Sequence, residues 1–190
     1  KVNFEWNENA LKQLAALLEK HPFVINVVDP AVVDVFKYVE NKDISGFIIS
    51  KEEQTILDFP NVRKLNAYIQ DAHYQGANAV QELAIALAKA SELANNMEFA
   101  EFEKQFFVSF AIDTKFFMEI AKIRAFRVLW KAFAKAYGVE NPQPVKIFAE
   151  TSLRSFSKLD VYVNLLRAGN EAFSAVLGGA DVVTVHPHDV

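Results

Sequence analysis

Apolar residues recur along this chain at helical spacing and at strand spacing in turn. In NENALKQLAALLEKH (7–21) they fall at Ala10, Leu11, Leu14, Ala15, Leu17 and Leu18, which predicts an amphipathic helix. PFVINVVDP (22–30) is β-branched and closed by Asp-Pro, as a buried strand is. AVVDVFKYVENK (31–42) returns to helical spacing, ISGFIIS (44–50) is a second apolar run, and KEEQTILDF (51–59) predicts a short third helix. A strand is expected over 62–72 and a strong Ala-rich helix over 76–95. The aromatic and β-branched stretch 102–113 predicts a strand, and 114–138 a long helix with Gly138 just past its end. After a Pro-bearing loop come a strand over 145–152, a helix over 158–179 stopped by Gly178-Gly179, and a last strand over 181–187.

Strands alternating with helices place the chain in the α/β class with a parallel sheet, either doubly wound or barrel. Nucleotide-binding doubly wound sheets carry a Gly-rich first turn, and neither GxGxxG nor GxxxxGK[ST] occurs here. A (β/α)8 TIM barrel takes ~250 residues. The 190 residues of this chain hold roughly six βα units on that scale, so the expectation is an incomplete TIM barrel, strands inside and helices outside.

Composition narrows the functional classes. The net charge of −4 argues against a nucleic-acid surface. The apolar runs are short and broken by charge, too short to span a membrane. Cysteine is absent, which removes disulfides and thiolate metal ligands and suits a reducing, cytoplasmic location. The chain opens on Lys1, and KVNFEW lacks the apolar core of a secretory signal. It is expected to be a piece of a longer polypeptide.

Four stretches carry candidate chemistry. His186 and His188 stand two apart at a strand end, with Asp189 following. They offer two nitrogens and a carboxylate to a zinc ion or a metal-dependent hydrolase, against the plainer reading of a loop disturbed by Pro187. Asp71 and His73, between a strand and a helix, offer a base and an acid at the rim where barrel enzymes build sites. The competing reading makes either one a cap for the helix starting near Gly76. Glu150, Thr151, Ser152, Arg154 and Ser155 follow another strand and suit either an anion site or a solvated loop. Lys115, Glu119, Lys122, Arg124, Arg127 and Lys131 are expected on a wetted outer helix face, with Glu119 pairing Lys122 or Lys115.

GANAVQELAIALA (76–88), EIAKIRAFRVLW (119–130) and the LGG-bearing stretch 175–184 together resemble the acyl-CoA-binding barrel of the methylmalonyl-CoA mutase family, most strongly from residue 62 onward. That resemblance implies a TIM barrel threaded by acyl-CoA, a separate cobalamin-binding domain, and an adenosylcobalamin-dependent radical isomerisation of methylmalonyl-CoA to succinyl-CoA. The cobalt-ligating DxHxxG motif is absent from these residues, so the fragment itself is expected to bind no cofactor and residues 1–190 to form part of the barrel only.

Departures from the family pattern carry the functional expectation. The family's catalytic Tyr-His pair is replaced by Gln70 and Asp71. Its CoA-contacting Arg and Ser are replaced by Gln105 and Phe107, and its corrin-facing Arg, His and Gln by Lys146, Phe148 and Glu150. The pattern is similar to the silent small subunit of heterodimeric mutases. The expected role is support of a large catalytic subunit, with acyl-CoA met only through that partner and no metal held by this chain. The resemblance implies that Phe107, Ser109, Phe148, Glu150 and Asp71 point into a filled barrel, and that His186 and His188 are rim or interface residues. The alternative is an active acyl-CoA mutase in which Asp71, Lys146 and Glu150 take new roles.

Overall fold

The computed structural model describes residues 6–21, 24–27, 29–49 and 59–189. It divides into two units, residues 1–66 and 67–190. Most of the helix expected over 51–59 lies outside the described residues.

The first unit opens with helix α1 (Glu8–Lys20), whose N-terminus is capped by the Asn7 side chain accepting from the Ala10 amide at 2.9 Å. Its buried stripe is Leu11, Ala15 and Leu18. Strands β1 (Val24–Val27), β2 (Ser45–Ile48) and β3 (Val62–Arg63) pair in parallel, in that order. Gly46 belongs there for contact reasons. A Cβ at this position would lie 2.2 Å from the Ile25 carbonyl oxygen, so only glycine lets the two strands approach. The helix expected over 31–42 is instead a 3-10 helix, Pro30–Lys37, capped by Asp29. Val32, Val33 and Val35 crowd an α-helical turn, and a tight 3-10 turn still buries Val35 and Phe36. These residues, the α1 stripe, Ile48, Phe59 and Val62 form one apolar core.

The second sheet has the order β4 (Leu65–Tyr68), β5 (Phe106–Ile112), β6 (Lys146–Thr151), β7 (Val182–Thr184), with β5, β6 and β7 parallel. Between the strands run helices α2 (Gln70–Tyr74), α3 (Ala79–Ala94), α4 (Phe99–Gln105), α5 (Phe116–Ala136) and α6 (Val163–Gly178). The α/β class therefore stands. Several boundaries differ from the sequence expectation; the helix over 158–179 begins only at Val163, and the strand over 181–187 ends at Thr184. The strand over 62–72 is two, β3 in the first sheet and β4 in the second, and α2 takes over at Gln70. The strand over 102–113 begins only at Phe106, because Phe99, Phe102 and Phe106 have helical spacing and pack on one another and on Trp130. Phe106 and Trp130 stack at 5.1 Å, and Phe110 meets Phe126 edge-on at 5.4 Å, which fixes the face of β5 that α5 covers. Helix α5 ends as expected, with Gly138 at φ 83 just beyond its Tyr137 cap. No helix among the described residues is long and apolar enough to cross a membrane.

Candidate functional site

The ends of β5, β6 and α2 and the first turns of α3 and α5 meet in a chain of buried polar groups. His73 lies at its centre, fully buried. Its Nδ1 is 2.8 Å from Glu82 Oε1, and its Nε2 is 2.7 Å from Ser152 Oγ. Glu82 Oε2 accepts from Lys122 Nζ at 2.7 Å. Lys122 also donates to the Ala111 carbonyl at 2.9 Å and pairs with Glu119 Oε2 at 2.6 Å. Burial would push the Glu82 carboxyl up, but His73 and Lys122 outweigh it and hold Glu82 below the usual carboxylate range. At Glu119 burial wins against Lys122, and the carboxyl is raised.

Ser152, His73 and Glu82 have the spacing of a nucleophile, a base and an orienting acid. The arrangement is sealed: Ser152 is fully buried, its Oγ accepts from the Arg154 amide at 3.2 Å, and its own amide donates to Glu171 Oε2 at 2.9 Å. Arg154 is likewise committed, to the Asp113 carboxylate and the His73 carbonyl. Burial favours the neutral Asp113, yet the Arg154 contact and the Thr114 amide keep it below its ordinary value. The stretch from Glu150 to Ser155 is therefore a stitched strand end; its one guanidinium is neutralised rather than free for an anion. Neither Asp71 nor His73 caps α3. Asn78 does so, in a reciprocal capping box with Gln81.

The expectation of a wetted face on α5 is overturned at two of its six residues. Lys115, Arg124 and Lys131 are exposed, Arg127 is half-buried, and Glu119 and Lys122 are buried. The Glu119–Lys122 pair forms, but inside. Glu82 and its role were missed altogether. One signal was available: Glu82, Ala86, Ala90 and Ala94 recur every four residues along the buried side of α3, and Lys122 sits in the stripe of Ile123, Phe126 and Trp130 on α5. A charge in register with an apolar stripe must find a buried partner.

The second cluster lies on the sheet face turned away from α5. The β5–β6 register sets Phe107 beside Lys146, Ser109 beside Phe148 and Ala111 beside Glu150, and β6–β7 pairing adds Val182 and Thr184. Side-chain alternation puts all of these on one face, opposite Phe106 and Phe110. Phe107 and Phe148 are fully buried there. Ser109 Oγ donates to Gln70 Oε1 at 3.2 Å. Lys146 is held by Asp181 at 2.9 Å, whose other oxygen takes Arg127 at 3.0 Å. Burial pushes the Glu150 carboxyl up to about 7, with Gln70 opposing, and it pushes the Tyr68 phenol up to about 12, helped by Glu150 and Asp71. Gln105 does not join this face; it is the last residue of α4. The two histidines diverge. His186 Nε2 is 4.0 Å from Glu150 Oε2, while His188 stacks on Tyr162 and its carbonyl accepts from Asn164. Among the described residues no three His, Asp or Glu side chains converge as a metal site would require.

A family model described as methylmalonyl-CoA mutase matches residues 47–190. The chain is 37% identical over 141 residues to the methylmalonyl-CoA mutase small subunit of Porphyromonas gingivalis, covering 70% of this chain and 23% of that protein. It is 37% identical over 123 residues to a probable small subunit of Mycobacterium bovis, 62% of this chain and 20% of the relative. It is equally similar, 37% over 136 residues, to the methylmalonyl-CoA mutase of Cereibacter sphaeroides, 67% of this chain and 19% of that one. The matches thus take in less than a quarter of the length of these relatives.

Proposed function

This chain belongs to the methylmalonyl-CoA mutase family, and from that premise we propose that it is the barrel portion of a small, non-catalytic subunit supporting a large catalytic one in the cytoplasm. Its parallel strands, alternating with helices in the second unit, are compatible with part of a (β/α)8 barrel. The reading rests on one observation. Phe107 and Phe148, at positions where the family pattern has Ser and His, are both fully buried on the same sheet face. Bulk and apolarity stand where a thioester arm needs room and hydrogen-bond donors. Gln105 in place of Arg also removes a bidentate partner for a phosphate or carboxylate.

Adenosylcobalamin is the cofactor that the family implies, and the residues here do not fit a corrin face. Phe148 offers no hydrogen bond, and the Lys146 ammonium is already spent on Asp181. The 37% identity to a relative named simply as the mutase favours the second reading, an active acyl-CoA mutase. Isothermal titration with methylmalonyl-CoA separates the two. The expected result is no heat at millimolar ligand, together with a stable complex when the large subunit of the same source is added. Thioester binding without such a complex overturns the proposal.

A further inference from the structure

Glu171, on the inner side of α6, is fully buried, and among the described residues no cation pairs with it. Its Oε2 accepts from the Ser152 amide and its Oε1 from the Ser155 hydroxyl, both at 2.9 Å. The charges that act on it from neighbouring elements are negative: Asp113, just past β5, and Glu119 on α5. The cations nearby are committed. Lys122 of α5 is held by Glu82 and Glu119, Arg154 by Asp113 and the His73 carbonyl, and Arg167 of α6 itself by the Ser155 carbonyl. Arg124 and Arg127 of α5 bind the Leu177 and Gly179 carbonyls at the far end of α6. Lys146 and Glu150 of β6 alternate to the sheet face turned away from α5, and Asp181, before β7, is tied to Lys146 and Arg127.

The bond from Ser155 makes Glu171 the inner anchor of a short strap. Residues 153–157 leave the end of β6 through the 3-10 turn Leu153–Ser155. Leu153 and Arg154 are exposed, and Ser155, Phe156 and Ser157 are half-buried. Besides Glu171, Arg154 and Arg167, the strap is tied by the Leu153 amide donating to the Tyr74 hydroxyl at 3.3 Å and the Ser157 amide donating to Asn164 Oδ1 at 2.8 Å. A surface segment with so little buried apolar area opens at less cost than the sheet beneath it. Ser152 lies outside the strap. It is fully buried, and its amide also donates to the Ile112 carbonyl at 2.9 Å, as part of the β5–β6 pairing.

We propose that Glu171 is a proton-operated latch: protonated, it holds the strap 153–157 at the ends of β5 and β6, and ionised, it lets the strap lift while Ser152, the sheet and the helices stay in place. Burial penalises the ionised form, and two neutral donors do not replace the water that a carboxylate loses. Burial accordingly pushes the Glu171 carboxyl up to about 7, against the Ser155 hydroxyl and the Ser152 amide, with Asp113 and Glu119 adding to the rise. A carboxyl raised in the closed state stabilises that state below its ordinary value, and the stabilisation is lost as pH rises through the raised one. The strap is the cheapest element to move when the carboxylate needs water. With an ordinary value of 4.5 when the strap is open and about 7 when it is closed, opening becomes about tenfold more frequent between pH 6 and pH 8.5.

Hydrogen exchange of the full-length polypeptide, followed by mass spectrometry over residues 153–158 and corrected for the intrinsic rate, tests the latch. The expected result is strap protection that falls about tenfold from pH 6 to pH 8.5, while the buried turns of α5 stay more protected than the strap at both values. Glu171→Gln cannot ionise and still offers an acceptor to the Ser152 amide, so its strap protection should hold within about twofold over the same range. The wild-type chain gives a second measurement: the Glu171 carboxyl carbon, followed by carbon-13 NMR, should titrate near pH 7 together with the Ser155 and Phe156 amides. Strap protection that is unchanged by pH, that falls equally in Glu171→Gln, or that never drops below that of α5 overturns the proposal, as does a Glu171 carboxyl that titrates below pH 5.

Discussion

Replacing Lys122 with Met tests whether the buried polar chain holds the second unit together. Lys122 has no exposed side-chain surface, and its ammonium meets Glu82, Glu119 and the Ala111 carbonyl within 2.9 Å. Methionine fills a similar volume and supplies no charge. Two carboxylates are then left inside without their cation. Removing one partner of a buried ion pair costs ~3–5 kcal/mol, because the survivor keeps its desolvation penalty. That is about two to four orders of magnitude in the folded-to-unfolded ratio. The chain has two tryptophans, Trp6 and Trp130, one in each unit. In a Trp6→Phe background, urea unfolding followed by fluorescence reads the unit that contains Lys122.

The pH dependence of the deficit identifies its cause. Without Lys122, Glu119, already raised by burial, rises further, and Glu82 loses the Lys122 contacts that help to lower it. The stability such groups contribute is present below the unfolded pKa and is lost as pH rises through the folded one. The Lys122→Met deficit should therefore be largest near pH 8 and shrink toward pH 5. Adding Glu82→Gln and Glu119→Gln should recover most of it, since a neutral set of similar volume is often as stable as a buried ion set. A deficit under about 1 kcal/mol, the size of an ordinary substitution, or one that does not diminish in acid, refutes the account.

Three further outcomes follow from the same geometry. Gly178→Ala places a Cβ 2.9 Å from the Ile123 side chain, so it should cost ~1–3 kcal/mol in urea unfolding, with Ile123→Val relieving part of the loss. Burial raises both Glu150 and Glu171 to about 7, so stability should fall between pH 5 and pH 7.5, and Glu150→Gln/Glu171→Gln should flatten that slope. Ser152 should resist a fluorophosphonate probe at any pH in the folded protein, since its hydroxyl is sealed; labelling of Ser152 that Ser152→Ala abolishes would show an accessible nucleophile.

What could be read from the sequence was what local periodicity determines. The helices α3 and α5 stood out because each is long and periodic, and Gly138 marks the end of α5; the cap of α3, expected at Asp71 or His73, is Asn78. The shorter helices did not. Five residues from Gln70 to Tyr74 give too little length for a period to show, and in Phe99–Gln105 the aromatic content read as strand although the spacing is helical. The polar chain was illegible for a different reason. Glu119 and Lys122 on an isolated helix look like any solvated i, i+3 pair. Their burial depends on Glu82, which lies 40 residues from Lys122, and on His73, which lies 79 residues from Ser152. No window of sequence contains both halves of such a contact.

Two of the positions that the resemblance marks as replaced, Phe107 and Phe148, share one sheet face, while the buried polar network lies among the helices. Glu82 and Lys122 sit among the helices, where a replacement must satisfy two partners at Glu82 and three at Lys122. Phe107 and Phe148 sit on the other face, where alternation isolates them from that network. A strand buried on both faces can therefore exchange one set of side chains without disturbing the other, provided that the new set still fills its space. Ser109 on that face donates to Gln70 of α2 at 3.2 Å, so a hydroxyl buried there keeps a partner. Strand geometry thus lets one face of a sheet fill with apolar side chains while the helix-covered side keeps its buried polar contacts.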